Sequence, residues 1–168
     1  MNNIIFLDID GVLTSEQNDI NNHEYYINMY KVLNETNYSK ILKDELILKL
    51  IDIDMEKVYM LRDVCKLTNA KIVITSTWKG NRLYPLIEEQ LISRGLPIID
   101  VTTYIDNRRG EEIRAFLRKN KVDNYVILDD DIFEDYNELI CDLIRTTYYN
   151  GEGLTEDNCE EIVKRLKK

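Results

Sequence analysis

The chain has 168 residues, 44% of them hydrophobic and 32% charged, which is ordinary globular material, long enough for one domain with its own core. Its 31 acidic residues against 22 basic ones leave a net charge of −9, which argues against an extended nucleic-acid binding surface but leaves room for a local basic site. No apolar run approaches the roughly 20 residues of a membrane span, and the N-terminus runs directly into a strand pattern, so a cytoplasmic protein with no signal peptide and no membrane partner is expected.

Residues 4–7 (Ile-Ile-Phe-Leu) read as a buried strand that stops at Asp8, skips Ile9, places Asp10 and breaks at Gly11. If strand geometry persists, Asp8 and Asp10 share a face, and two such carboxylates call for a cation or a shared proton. A surface turn with two solvated acids is the plainer reading. Residues 15–54 read as an insertion, rich at first in asparagine (Asn18, Asn21, Asn22, Asn28, Asn34, Asn37) and tyrosine (Tyr25, Tyr26, Tyr30, Tyr38). Helical stripes run through Ile27, Tyr30 and Leu33, and through Ile41, Leu42, Leu46 and Leu50. His23, the single histidine, lies in this polar stretch and is not expected to be a ligand.

The next helix covers 55–68 on Val58, Leu61, Val64, Cys65 and Thr68, with Asn69 as its stop. Residues 71–75 form a second short buried strand that ends in three hydroxyls, Thr75, Ser76 and Thr77. Trp78 follows, as core or as a wall near a substrate, and Lys79 and Arg82 are the nearest cations. A helix over 83–94 closes at Gly95, and 96–101 is a third strand with its proline near the start. Arg108 and Arg109 open the next helix, against the preference of a helix N-terminus for acids, a conflict expected at functional sites. Residues 124–128 form the fourth strand and end in Asp129-Asp130-Asp131, costly together unless a hard cation sits there. A short strand over 143–147 and a helix capped by Thr155, facing inward with Cys159, Ile162, Val163 and Leu166, complete the chain. The three cysteines (Cys65, Cys141, Cys159) lack metal-ligand spacing and read as buried thiols.

Strands alternating with helices argue for an α/β domain, a doubly wound parallel sheet with helices on both faces. Asp8 and Asp10, Thr75, Arg109, and Asp129 and Asp130 all fall at or just beyond a strand's C-terminal end or at the following helix start, where such sheets bind ligands.

Asp8-Ile9-Asp10-Gly11-Val12-Leu13-Thr14 after an apolar strand resembles the first motif of the haloacid dehalogenase (HAD) superfamily of phosphatases and phosphotransferases. The resemblance implies a nucleophile at Asp8, which becomes an aspartyl-phosphate, and a general acid/base at Asp10. It also implies a phosphate-binding hydroxyl at Thr75 (with Ser76 second) and a cation at Arg109 or Arg108. A Mg²⁺ site would be formed by Asp8, Asp10 through its backbone carbonyl and Asp130, with Asp129 acting through water or by holding the arginine. Ser76, Trp78, Lys79 and Arg108 are the candidate substrate contacts, and the 15–54 insertion corresponds to a flap or small cap, or else to a peripheral helical pair. The stretches Leu67–Lys79, Arg108–Leu117 and Tyr125–Asp131 are similar to small HAD domains of nucleic-acid repair proteins, akin to 3′-phosphatases. The expected function is therefore a Mg²⁺-dependent phosphomonoesterase acting on a nucleotide or a nucleic-acid 3′-phosphate. A small-metabolite phosphatase and a catalytically silent binding domain are the alternatives.

Overall fold

The computed structural model describes residues 2–21 and 40–167; His23, the tyrosine-rich stretch and the stripe of Ile27, Tyr30 and Leu33 lie outside them. Five strands, β1 (Asn3–Leu7), β2 (Ala70–Ile74), β3 (Ile98–Val101), β4 (Asn124–Asp129) and β5 (Leu143–Arg145), form one sheet in the order β3-β2-β1-β4-β5. Every pairing is parallel. The first strand in the chain is thus the middle of the sheet, flanked by β2 and β4 in matching register, with Leu7 opposite both Ile74 and Leu128.

Side-chain alternation along these strands divides the core. Ile5, Leu7, Ile72, Ile74, Val126 and Leu128 face the larger cluster, which is closed by helices α2 (Lys40–Ile51), α3 (Met55–Thr68), α4 (Tyr84–Ser93) and α6 (Glu156–Leu166). Ile4, Phe6, Val73 and Ile127 face a smaller cluster, covered by α5 (Arg109–Lys119) and a 3₁₀ turn over Asn137–Asp142. A short helix, α1 (Glu16–Asn21), follows the first strand's loop.

The helix boundaries follow local chemistry. Asp54 caps α3 by accepting from the Glu56 N–H at 2.9 Å, and Asn69 ends that helix in the left-handed region at φ 53°. The buried face of α3 is Val58, Leu61, Val64, Cys65 and Thr68, the stripe expected from its spacing. Thr155 and Asn158 form a capping box at the start of α6, with each side chain accepting from the other's backbone N–H.

The third strand departs from expectation. It begins at Ile98 rather than at residue 96, and Ile99 and Asp100 are exposed because β3 is the sheet edge. The fifth stops at Arg145. The cysteines differ as well: Cys65 is buried, Cys159 half-buried and Cys141 exposed. Among the described residues, no helix is long and apolar enough to cross a membrane.

Two expected outcomes test this packing. Phe6 is fully buried, with edge-on contacts to Phe116 and Tyr125 at centroid distances of 5.5 and 5.7 Å. Phe6→Ala is expected to lower the unfolding free energy by about 3–5 kcal/mol in urea denaturation. Burial pushes the Cys65 thiol up to about 12 and the Cys159 thiol up to about 11. An aromatic disulfide reagent at neutral pH should therefore label Cys141 first in the native chain, and all three only on unfolding.

Candidate active site

The backbone ladder continues one residue past the strands. The Asp8 N–H donates to the Leu128 carbonyl at 2.9 Å and the Thr75 N–H to the Leu7 carbonyl at 2.8 Å. The register that places Leu7 between Ile74 and Leu128 therefore also places Asp8 between Thr75 and Asp129. One carboxylate oxygen from each of Asp8, Asp129 and Asp130 lies within 4.8 Å of the others. Gly11, at φ 65°, allows the first loop to close over this group: a Cβ there would stand 2.3 Å from Asp130 Cγ.

Asp129 is wholly buried. Its Oδ2 accepts from Arg109 Nη1 at 2.7 Å and from the Tyr136 hydroxyl at 2.8 Å, and its Oδ1 accepts from the Asp131 N–H at 3.0 Å. Burial and then the Asp8 charge push its carboxyl up to about 7, despite Arg109. The same two causes raise Asp130. Asp8, only 6% exposed, has Arg109 Nη1 3.4 Å from its Oδ1, within ion-pair range, yet that oxygen accepts no hydrogen bond from any described residue. Thr75 Oγ1 is buried and equally without a partner among the described residues. An unsatisfied buried carboxylate oxygen and an unsatisfied buried hydroxyl at one strand edge fit a site made for a ligand. The hard oxygen donors of Asp8, Asp129 and Asp130 fit a divalent cation such as Mg²⁺.

Asp10 does not join the carboxylate cluster. It lies in the turn after β1, where its Oδ2 accepts from Trp78 Nε1 at 2.8 Å. Burial first, and the neighbouring Asp8 charge, hold its carboxyl above the usual range; the Trp78 bond works the other way. Trp78 is accordingly a buried core residue whose ring nitrogen orients a site acid. Lys49 of α2 stands 4.6 Å from the Trp78 ring centroid, and its charge reaches Asp10.

Arg109 opens α5, and its side chain leaves the helix to enter the site, stacked 4.5 Å over the Phe133 ring. The unfavourable arginines are accommodated by Asp135, whose carboxylate accepts from the Gly110 and Glu111 N–H groups at 3.1 and 2.9 Å. Gly110 is required there, since a Cβ would lie 2.3 Å from the Asp135 carbonyl oxygen. Arg108 points away: it is exposed and pairs loosely, at 4.0 Å, with Glu111. Lys79 is half-buried and pairs with Glu112, and its Nζ also donates to Thr102 Oγ1 at 2.8 Å. Burial lowers its pKa against the pull of Glu112. Ser76 Oγ accepts from the Trp78 N–H at 3.3 Å and so caps the turn over Thr77–Gly80. Arg82 is paired with Glu45 on the exposed side of α2.

Thr75, Lys79 and Arg109 form one end of a cavity of about 460 Å³. Sequence reasoning missed Lys49, Thr102, Glu112, Asp135 and Tyr136. The charge conflict at Arg108-Arg109 was the one signal that could have pointed to Asp135.

A family model described as the HAD domain in Swiss Army Knife RNA repair proteins matches residues 4–159. The chain belongs to this family. No curated protein and no solved structure matches it. Membership places this HAD domain among phosphatase-type hydrolases and bears out the resemblance carried by its four strand-end motifs.

The crowded acids carry a pH signature. The folded pKa of Asp129 lies above its ordinary value of 3.8, so the folded chain binds this proton more tightly than the unfolded chain. In cation-free buffer, the stability this group contributes falls as pH rises from about 4 towards about 7. A divalent cation held by these acids would compete with the same proton. In a thermal scan, the rise in Tm on adding Mg²⁺ should be larger at about pH 8 than at about pH 5.5.

Proposed function

We propose that this HAD domain is a Mg²⁺-dependent phosphomonoesterase that works through an aspartyl-phosphate on Asp8, and that its substrate is a nucleotide or a nucleic-acid 3′-phosphate end. The observation that carries the reading is the buried Asp8 carboxylate with one oxygen free of hydrogen bonds, between an unsatisfied Thr75 hydroxyl and the Asp129–Arg109 pair. Mg²⁺, held by Asp8, Asp130, Asp129 and the Asp10 carbonyl, would supply charge neutralisation for a phosphate oxygen.

The chain's own groups do the rest. An Asp8 oxygen attacks phosphorus, forming the acyl-phosphate bond as the ester P–O bond breaks. Asp10, whose carboxyl is held above the usual range, gives its proton to the leaving alcohol oxygen. It then takes a proton from the water that cleaves the acyl phosphate, regenerating Asp8 and releasing inorganic phosphate. The Thr75 hydroxyl donates to one phosphoryl oxygen, while Arg109 and Lys79 offset the negative charge. Trp78 keeps Asp10 aimed. Residues 15–54 serve as a flap or small cap, a role supported by Lys49 of α2 lying over Trp78. The RNA-repair description of the family favours a nucleic-acid end. The net charge of −9 favours the second reading, a small phosphorylated metabolite.

Phosphate release from an aryl phosphate, with and without Mg²⁺, tests the reaction. Turnover should require the cation. Asp10→Asn is expected to lose about 10²–10⁴-fold in kcat, and Asp8→Asn to lose all measurable turnover. An inactive parent, or an Asp8→Asn variant as active as the parent, would sink the proposal. Competition between a 3′-phosphorylated oligonucleotide and sugar phosphates separates the two substrate classes.

A further inference from the structure

The cavity lined by Thr75, Lys79 and Arg109 is not lined by charged groups alone. Its lining also includes Val101, Tyr104, Asn107 and Phe133, the ring on which Arg109 stacks. Three of its polar side chains engage one another: Glu112 accepts from Lys79, from Thr102 Oγ1 at 2.7 Å and also from the Ile105 N–H at 3.1 Å. A highly hydroxylated ligand would therefore find few free partners there, whereas a flat apolar ring would find aromatic surface. Asp10 is not among the lining residues, so the cavity takes a part of the substrate beyond the reacting oxygens.

Tyr104 is 61% exposed, so its ring face is open to a ligand in the cavity that it lines. It is nonetheless held in place, because its hydroxyl donates to Asn107 Oδ1 at 3.0 Å. The loop that carries both residues has two successive non-glycine residues at positive φ, Asp106 at 45° and Asn107 at 58°. Such backbone persists where the surrounding structure imposes it, and it gathers at ligand sites. The bond from Tyr104 leaves the Asn107 amide N–H₂ without a partner among the described residues, and it is available to the carbonyl or ring-nitrogen edge of a base.

We infer that this cavity is a nucleobase subsite: Tyr104 stacks on the base of the nucleotide whose phosphate meets Asp8, and Asn107 contacts the edge of that base. Tyr104 and Asn107 are specificity-determining residues in this assignment. A volume of about 460 Å³ is in the range of small-ligand sites and accommodates one nucleoside. Recognition is confined to the terminal nucleotide, which suits a chain with an acidic surface and no expected track for a longer strand. The inference rests on the phosphate-ester reading of the site.

The test compares adenosine 3′-monophosphate with ribose 3-phosphate, in which an anomeric hydroxyl stands in place of the base. Binding is measured by calorimetry on Asp8→Asn with Mg²⁺ present, and turnover on the parent. The base should improve affinity by about tenfold or more, in line with base–aromatic stacking. Tyr104→Ala and Tyr104→Leu, each placed in the Asp8→Asn background, should bring that ratio towards one, while Tyr104→Phe retains it. Equal affinity for the two compounds, or a base preference that survives both ring-removing variants, overturns the subsite. If the parent hydrolyses both compounds without preference, the phosphatase reading stands and the subsite falls. If neither is hydrolysed but the base-dependent ratio is present and lost with the Tyr104 ring, the subsite stands and the phosphatase reading falls. Binding of neither compound overturns both.

Discussion

Like charges forced together at the end of a sheet are the constraint around which this molecule is arranged. Three carboxylate oxygens within 4.8 Å, two of them on wholly or nearly buried residues, repel one another strongly in a medium that screens poorly. The chain tempers this repulsion without removing it. Arg109 reaches both Asp8 and Asp129, and Tyr136 adds a hydroxyl donor to Asp129. What remains is a raised pKa at Asp129 and Asp130 and an oxygen of Asp8 with no donor among the described residues. Fully satisfied acids would have made a stable but inert edge; this one retains an affinity for positive charge.

The guanidinium that balances those acids depends on a helix anchored from both sides. Asp135, on the segment following β4, holds the first turn of α5 through two backbone N–H groups. Glu112, three residues beyond Arg109, ties the same turn to Lys79, Thr102 and the backbone at Ile105. Buried charged groups of this kind are costly when one partner is lost. Their siting around α5 explains how a helix with arginines at its positive end keeps one of them pointed inward.

Much of this was legible from residue order. The apolar strands, the α3 stripe, the Asn69 stop and the Thr155 cap follow from short-range chemistry, and all four strand-end motifs fall on the sheet edge where a parallel α/β fold presents them. Local sequence favoured Arg109 through its Gly110 neighbour but kept Arg108 as the alternative. Only the docking of Asp135 and Asp129 decides that Arg109 turns in and Arg108 out. The same holds for Trp78, which serves as core and as donor to Asp10, contacts 68 residues apart in sequence. The edge position of β3 was hidden because an apolar segment reads alike at the centre and the rim of a sheet. Cys141 was misread as buried for a related reason: its neighbours are aliphatic, but they belong to a 3₁₀ turn with only one buried residue, Leu139.

The central place of β1 has a consequence for how the molecule comes into being. Asn3 pairs with Asn124 across 121 positions of the chain, and its amide also donates to the Leu166 carbonyl in the last helix. The central strand must therefore wait until the chain 121 positions further on is made before its second edge is covered, and parallel pairings of such span close slowly. During synthesis, Asp8 would leave the ribosome long before the acids that complete its cluster. The chemistry of the site is thus withheld from the growing chain until β4 has been made.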